Sequence, residues 1–127
     1  MGGLQKMKSG IVLFAHGSRD PLWSKPIEAI AQAISAASPS CEVRCAYLEL
    51  MEPSLSTVVA ELSEHDVKHI RIAPMFLGVG KHAREDLPEL ARELIHNYPE
   101  LTFELMPSIG EHPDLIRAIT SILTKSL

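Results

Sequence analysis

The sequence predicts an α/β domain built as an open, doubly wound, four-stranded parallel sheet flanked by helices. Three observations lead there. Short apolar, β-branched runs alternate four times with longer amphipathic segments, the rhythm of repeated βα units. The short runs are apolar almost throughout, which suits strands buried on both faces. A chain of 127 residues has room for one core of this kind and not for two. Residues 1–127 are therefore expected to form a single domain, with residues 1–8 as a poorly ordered N-terminal extension.

The first strand is expected over residues 10–15, and Ile27, Ile30, Ala31 and Ile34 then follow the helical period. The second is expected over 42–49, followed by a helix carrying Leu55, Val58, Val59 and Leu62. A third strand over 69–75 precedes Leu87, Leu90, Ala91, Leu94 and Ile95; a fourth over 101–106 precedes Leu115, Ala118, Ile119, Ile122 and Leu123. Pro26, Pro53, Pro88 and Pro113 each stand near a helix start, where a missing N–H costs nothing. Asp86 and Glu89 read as a capping pair with Pro88 in the first turn; the other reading is a helix that begins nearer His82 and bends at Pro88. Right-handed crossovers favour the strand order 2-1-3-4, which makes the carboxyl ends of strands 1 and 3 the place where ligands bind.

Composition narrows the function. The residues are 46% hydrophobic and 22% charged, and no run is apolar for the roughly 20 residues a membrane helix needs. The apolar stretch after the basic start is too short for a secretory signal, so a cytoplasmic protein is expected. A net charge of −4 without a Lys/Arg-rich run argues against nucleic acid as partner. Cys41 and Cys45 are the only cysteines. On one strand they stand roughly 13 Å apart, too far to pair, and they read as reduced, inert thiols.

The chemistry-bearing residues follow the strands. His16-Gly-Ser-Arg19 comes directly after strand 1, Glu49 closes strand 2, and the loop after strand 3 runs from Phe76 to His82. In the order 2-1-3 the two imidazoles and the carboxylate leave the same sheet edge and can converge on one divalent ion with open coordination positions. The spacing alone suits solitary polar loop histidines better. His65 and His69 flank a turn and are not expected to share a face; His96 belongs to a helix end. Trp23 is expected to pack or to meet a partner subunit.

Three strings in order, Phe14-Ala-His-Gly-Ser-Arg-Asp-Pro21, Tyr47-Leu-Glu-Leu-Met-Glu-Pro-Ser54 and Ala73-Pro-Met-Phe-Leu-Gly-Val-Gly-Lys-His82, continue into Asp86-Leu-Pro88 and Gly110-Glu-His-Pro113. Together they resemble the small CbiX-type sirohydrochlorin cobaltochelatases of the class II chelatase family. The resemblance implies ATP-independent insertion of a divalent metal into sirohydrochlorin in cobalamin or sirohaem biosynthesis. Co2+ is the first expectation, with Fe2+ and Ni2+ as alternatives, and no nucleotide is required. It implies His16 and His82 as metal-binding and catalytic residues, Glu49 as the acidic ligand, and a homodimer at this chain length.

The substrate's many carboxylates fit Arg19, Lys81 and Arg84, while Ser18, Phe76, Leu77 and His112 complete the expected substrate-binding set. Neutral imidazole suits the removal of pyrrole protons, and no Gly-Lys-Ser/Thr phosphate loop occurs. A different class stays open: a non-catalytic carrier of metal or tetrapyrrole using the same His16/His82 site. A hydrolase built on His16-Gly17-Ser18 lacks a paired nucleophile and base.

Overall fold

Alternation of the sheet and helix periods is realised as β1 (Lys8–Ala15), α1 (Lys25–Ala37), β2 (Glu42–Tyr47), α2 (Leu55–Glu64), β3 (Val67–Pro74), α3 (Lys81–Asn97), β4 (Thr102–Leu105) and α4 (Pro113–Thr124). The structure, a computed structural model, describes residues 8–127. The sheet is parallel throughout in the order β2-β1-β3-β4, as right-handed crossovers favour. Ala15 pairs with Tyr47, and Phe14 with Pro74, so β1, β2 and β3 end level on one rim.

One sheet face is closed. Val12, Phe14, Ile70 and Ile72 pack against Leu55, Val58, Val59 and Leu62 of α2 and Leu94 of α3. Each such side chain, fully withdrawn from water, contributes roughly 1.5–3 kcal/mol. Phe14, just before the rim, is 1% exposed, so the rim stands directly on the buried core.

The opposite face is closed only in part. Cys45 lies under α1, its Sγ donating to the Ile27 carbonyl at 3.9 Å. Beyond α1, Ser9, Ile11, His69, Arg71, Thr102 and Glu104 line an open groove of about 440 Å³ over β1, β3 and β4. No residue of α1 or α4 is fully buried.

Local signals explain most boundaries. Ser54 caps α2 by accepting from the Thr57 N–H at 3.3 Å, and Pro26 and Pro113 occupy the first turns of α1 and α4. Three expectations need correction. Lys8 belongs to β1, whereas residues 1–7 of the expected extension lie outside the described residues. The second strand stops at Tyr47 rather than 49, because Leu48 to Leu50 turn out of the sheet, Leu50 with φ of 68°.

The third correction concerns α3, which begins at Lys81 behind Gly80 with Pro88 inside it, so that of the two readings the start near His82 holds. Asp86 and Glu89 are therefore not a capping pair. The proline removes one intrahelical bond, to the Arg84 carbonyl, and the exposed side of the helix lets water take that place.

Candidate functional site

The turn after β1 is tied to the turn after β2 by backbone bonds, with the Ser18 N–H also donating to Met51 Sδ at 3.4 Å. Leu48 N–H donates to the Ala15 carbonyl at 2.9 Å, and Glu49 N–H to the His16 carbonyl at 3.0 Å. Gly17 sits between them with φ of 95°, and a Cβ there would stand 1.9 Å from the Glu49 carbonyl oxygen. Only glycine fits. Ser18 Oγ then accepts from the Asp20 N–H at 3.0 Å, and Asp20 Oδ1 from the Leu22 N–H at 2.9 Å, turning the chain into the 3-10 turn Pro21–Ser24. Trp23, on that turn, meets Tyr47 edge-on at 6.3 Å, in keeping with the packing role expected of it.

His16 leaves this turn at the rim, exposed, with its ring against Phe76 at 4.3 Å between centroids and 40° between planes. Phe76 is itself fixed. Its carbonyl accepts from Ser108 Oγ at 2.6 Å and from Gly110 N–H at 2.9 Å, and a Cβ on Gly110 would lie 2.0 Å from the Leu77 carbonyl oxygen. Ser108 is buried. Sequence reasoning alone misses this clamp; the signal for it is Gly110 in the motif string before Pro113.

His82 is not a strand-end residue. β3 ends at Pro74, and His82 lies in the exposed first turn of α3 beside Lys81 and Arg84. Nothing stands within 4 Å of where a Cβ would be on Gly78 or Gly80, so the approach to this helix is open. Its first-turn N–H groups and the helix dipole add positive character to that of Lys81 and Arg84.

Among the described residues no three His, Cys, Asp or Glu side chains are close enough together to hold a metal ion, so this chain alone does not assemble His16, Glu49 and His82 into one ligand set. Glu49 is near His16 through its backbone and its side chain is exposed. Arg19 is exposed on the β1 turn and Leu77 is 73% exposed on the β3 loop, both at the same rim. His112 serves its own helix, since its Nδ1 accepts from the Asp114 N–H at 3.0 Å and caps α4.

The thiols are free, and burial foremost pushes both Cys41 and Cys45 up from the ordinary thiol range. That keeps them protonated at neutral pH and fits the inert reading. His65 Nδ1 pairs with the Glu61 carbonyl at 2.8 Å, and His69 lies in β3, so they form no helical pair.

The CbiX family model matches residues 10–126. The chain belongs to the CbiX family. A family structure from Marinobacter aquaeolei VT8, a CbiX protein of cobalamin biosynthesis, superposes with a TM-score of 0.80 at 33% identity, covering 91% of this chain and 93% of that one. A sirohydrochlorin cobaltochelatase of Methanopyrus kandleri is 32% identical over 80 residues, which are 63% of this chain and 56% of the relative. A sirohydrochlorin ferrochelatase of Bacillus subtilis is 26% identical over 113 residues, 89% of this chain and 43% of the relative. The chain thus spans about half the length of these curated relatives. Among the described residues no helix is long and apolar enough to cross a membrane.

Proposed function

We propose that this protein inserts a divalent metal into sirohydrochlorin without nucleotide. The observation that carries the reading is His16, pre-set on the sheet rim by backbone bonds and stacked on a clamped Phe76, in a chain of the CbiX family. The names of the relatives support the substrate and leave cobalt and iron both open; imidazole accepts Co2+, Fe2+ and Ni2+ alike.

In this reading the metal ion is a substrate. His16 and His82 carry it, with Glu49 as an acidic ligand, and one of the two imidazoles takes up a pyrrole proton as the ion enters the ring. Each insertion places one dication in the macrocycle and releases two protons. Arg19, Lys81 and Arg84 draw the carboxylates of the substrate to the rim, overcoming the net charge of −4. Ser18, Phe76, Leu77 and His112 border the ring. The protein works in the cytoplasm as a homodimer, whose second subunit completes the cleft.

Anaerobic incubation with sirohydrochlorin and Co2+, Fe2+ or Ni2+, followed by absorption, tests this. Acceleration over the uncatalysed rate with many turnovers is expected with at least one metal. No acceleration with any of the three overturns the reading, and binding that stops at one equivalent makes the protein a carrier.

A further inference from the structure

We propose that Leu50 is a contact of the tetrapyrrole: with Leu48 it forms a second apolar wall of the substrate site, across His16 from Phe76 and Leu77. The inference rests on the tetrapyrrole reading given above and adds residues to its site.

Nothing in the fold accounts for a leucine at position 50. Its φ of 68° is left-handed, a region where the Cβ of an L-residue crowds its own backbone and which Gly, Asn and Asp fill routinely. Asp66, at φ of 62° just before β3, is a residue of that kind. Leucine is not. Burial does not offset the strain, since Leu50 is 53% exposed. An asparagine would make the same turn with less strain and without an apolar side chain in water. Left-handed non-glycine residues collect at ligand sites, where the surrounding structure over-determines them.

That surrounding structure lies on both sides of Leu50. Before it, the Glu49 N–H donates to the His16 carbonyl at 3.0 Å; after it, Met51 Sδ accepts from the Ser18 N–H at 3.4 Å. Both bonds reach the turn after β1. The leucine is therefore held in the frame of the turn that sets His16.

The place fits one occupant. In the order β2-β1-β3 the three strands end level, so Leu48 and Leu50 follow the strand on one side of His16, and Phe76 and Leu77 the strand on the other. Neighbouring strands stand about 4.8 Å apart, close to the distance from the centre of a tetrapyrrole to its pyrrole rings. An ion carried by His16 enters at that centre, which sets one pyrrole toward each neighbouring loop. On the β3 side Phe76 lies against the His16 ring at 4.3 Å, and Leu77 is 73% exposed. On the β2 side Leu48, 39% exposed, and Leu50 supply the counterpart. The carboxylates of sirohydrochlorin are at the ring edge and its faces are apolar, so leucines suit the face as Arg19, Lys81 and Arg84 suit the edge.

Titration of metal-free sirohydrochlorin into the protein, followed by absorption, tests the wall in Leu50→Asn and Leu50→Met. Melting temperature, mass by light scattering, and binding of Co2+ alone are measured beside it. Leu50→Asn, at home in left-handed backbone, is expected to melt at or above the wild type and to bind Co2+ alone as before. It is expected to bind the macrocycle at least about 10-fold more weakly, the scale of one buried leucine side chain. Leu50→Met, apolar and of similar volume, is expected to keep the wild-type affinity. A wild type that neither binds sirohydrochlorin nor inserts metal into it overturns the tetrapyrrole reading and the wall together. A wild type that inserts metal while Leu50→Asn binds the macrocycle equally well keeps the reading and overturns the wall. So does an equal loss in Leu50→Met, which removes apolar contact as the cause. A lowered melting temperature in Leu50→Asn makes the side chain part of the fold, a changed mass puts it between copies, and weakened Co2+ binding makes it act through Glu49. Each of these three results overturns the wall.

Discussion

The two loops that carry the histidines are built in opposite ways. The turn after β1 is bonded by backbone to the turn after β2, admits only glycine at position 17, and holds His16 against a clamped phenylalanine. The segment from Gly78 to His82 is exposed except for the half-buried Val79, has open space at both glycines, and ends in a helix N-terminus without a side-chain cap. Catalysis gains most when a group that must be aimed is fixed in advance. A group that must take up and release an ion gains from room. Under the proposed function, the contrast gives aim to His16 and exchange to His82.

The strongest test of that contrast is removal of each ring. His16→Ala and His82→Ala are both expected to lower turnover by about 100-fold or more, the scale of a lost proton-transferring group, while melting temperatures stay unchanged because both side chains are exposed. Turnover at the wild-type rate in either variant removes that residue from the mechanism.

Gly17→Ala comes next: the left-handed backbone and the 1.9 Å approach to the Glu49 carbonyl should cost about 3 kcal/mol, read as a lowered melting temperature. A small change there would mean the β1 turn is as loose as its counterpart. Gly110→Ala should cost about 2 kcal/mol by pushing the Leu77 backbone, and should reduce turnover further by moving Phe76 from under His16. Gly78→Ala should raise stability by about 0.4–1 kcal/mol through the unfolded chain alone. A loss at Gly78 would show that the second loop is packed after all.

Smallest of all is Cys45→Ser, expected to leave metal binding unchanged. The thiol pKa of Cys45 is raised by burial foremost, then by Glu28, with a lowering contribution from Tyr47. Its contribution to stability is full below the ordinary thiol range and fades as pH climbs through the raised value. Unfolding measured between neutral and alkaline pH should therefore show a shallow loss in the wild type that Cys45→Ser lacks.

The fold was legible because strand and helix periods differ and each repeat stated its own. Strand order followed from handedness, and His16 at the rim followed from both. The start of α3 was legible only as one of two readings, since Pro88 is a start signal in most helices and here lies within one whose preceding turn is too exposed to need the lost bond. The same signal misplaces His82 at a strand end. The apolar run points to Glu49 on the strand, but Leu50 takes a left-handed backbone that no pattern of apolar residues announces. The Ser108 and Gly110 clamp depends on two loops 32 residues apart in sequence, a separation at which periodicity is silent. The exposure of Ile116, Ile122 and Leu123 on α4 was equally hidden, because its apolar stripe is the one that a packed helix would show.

The contact between His16 and Phe76 also makes the molecule self-reporting. An imidazole 4.3 Å from a phenyl centroid lies inside that ring's magnetic anisotropy, so its carbon-bound protons resonate away from their free positions. An arriving ion that turns the imidazole, or a macrocycle that slides between the two rings, moves those resonances without any added label. The side chain proposed to receive the metal therefore carries its own spectroscopic gauge of when the metal has come and gone.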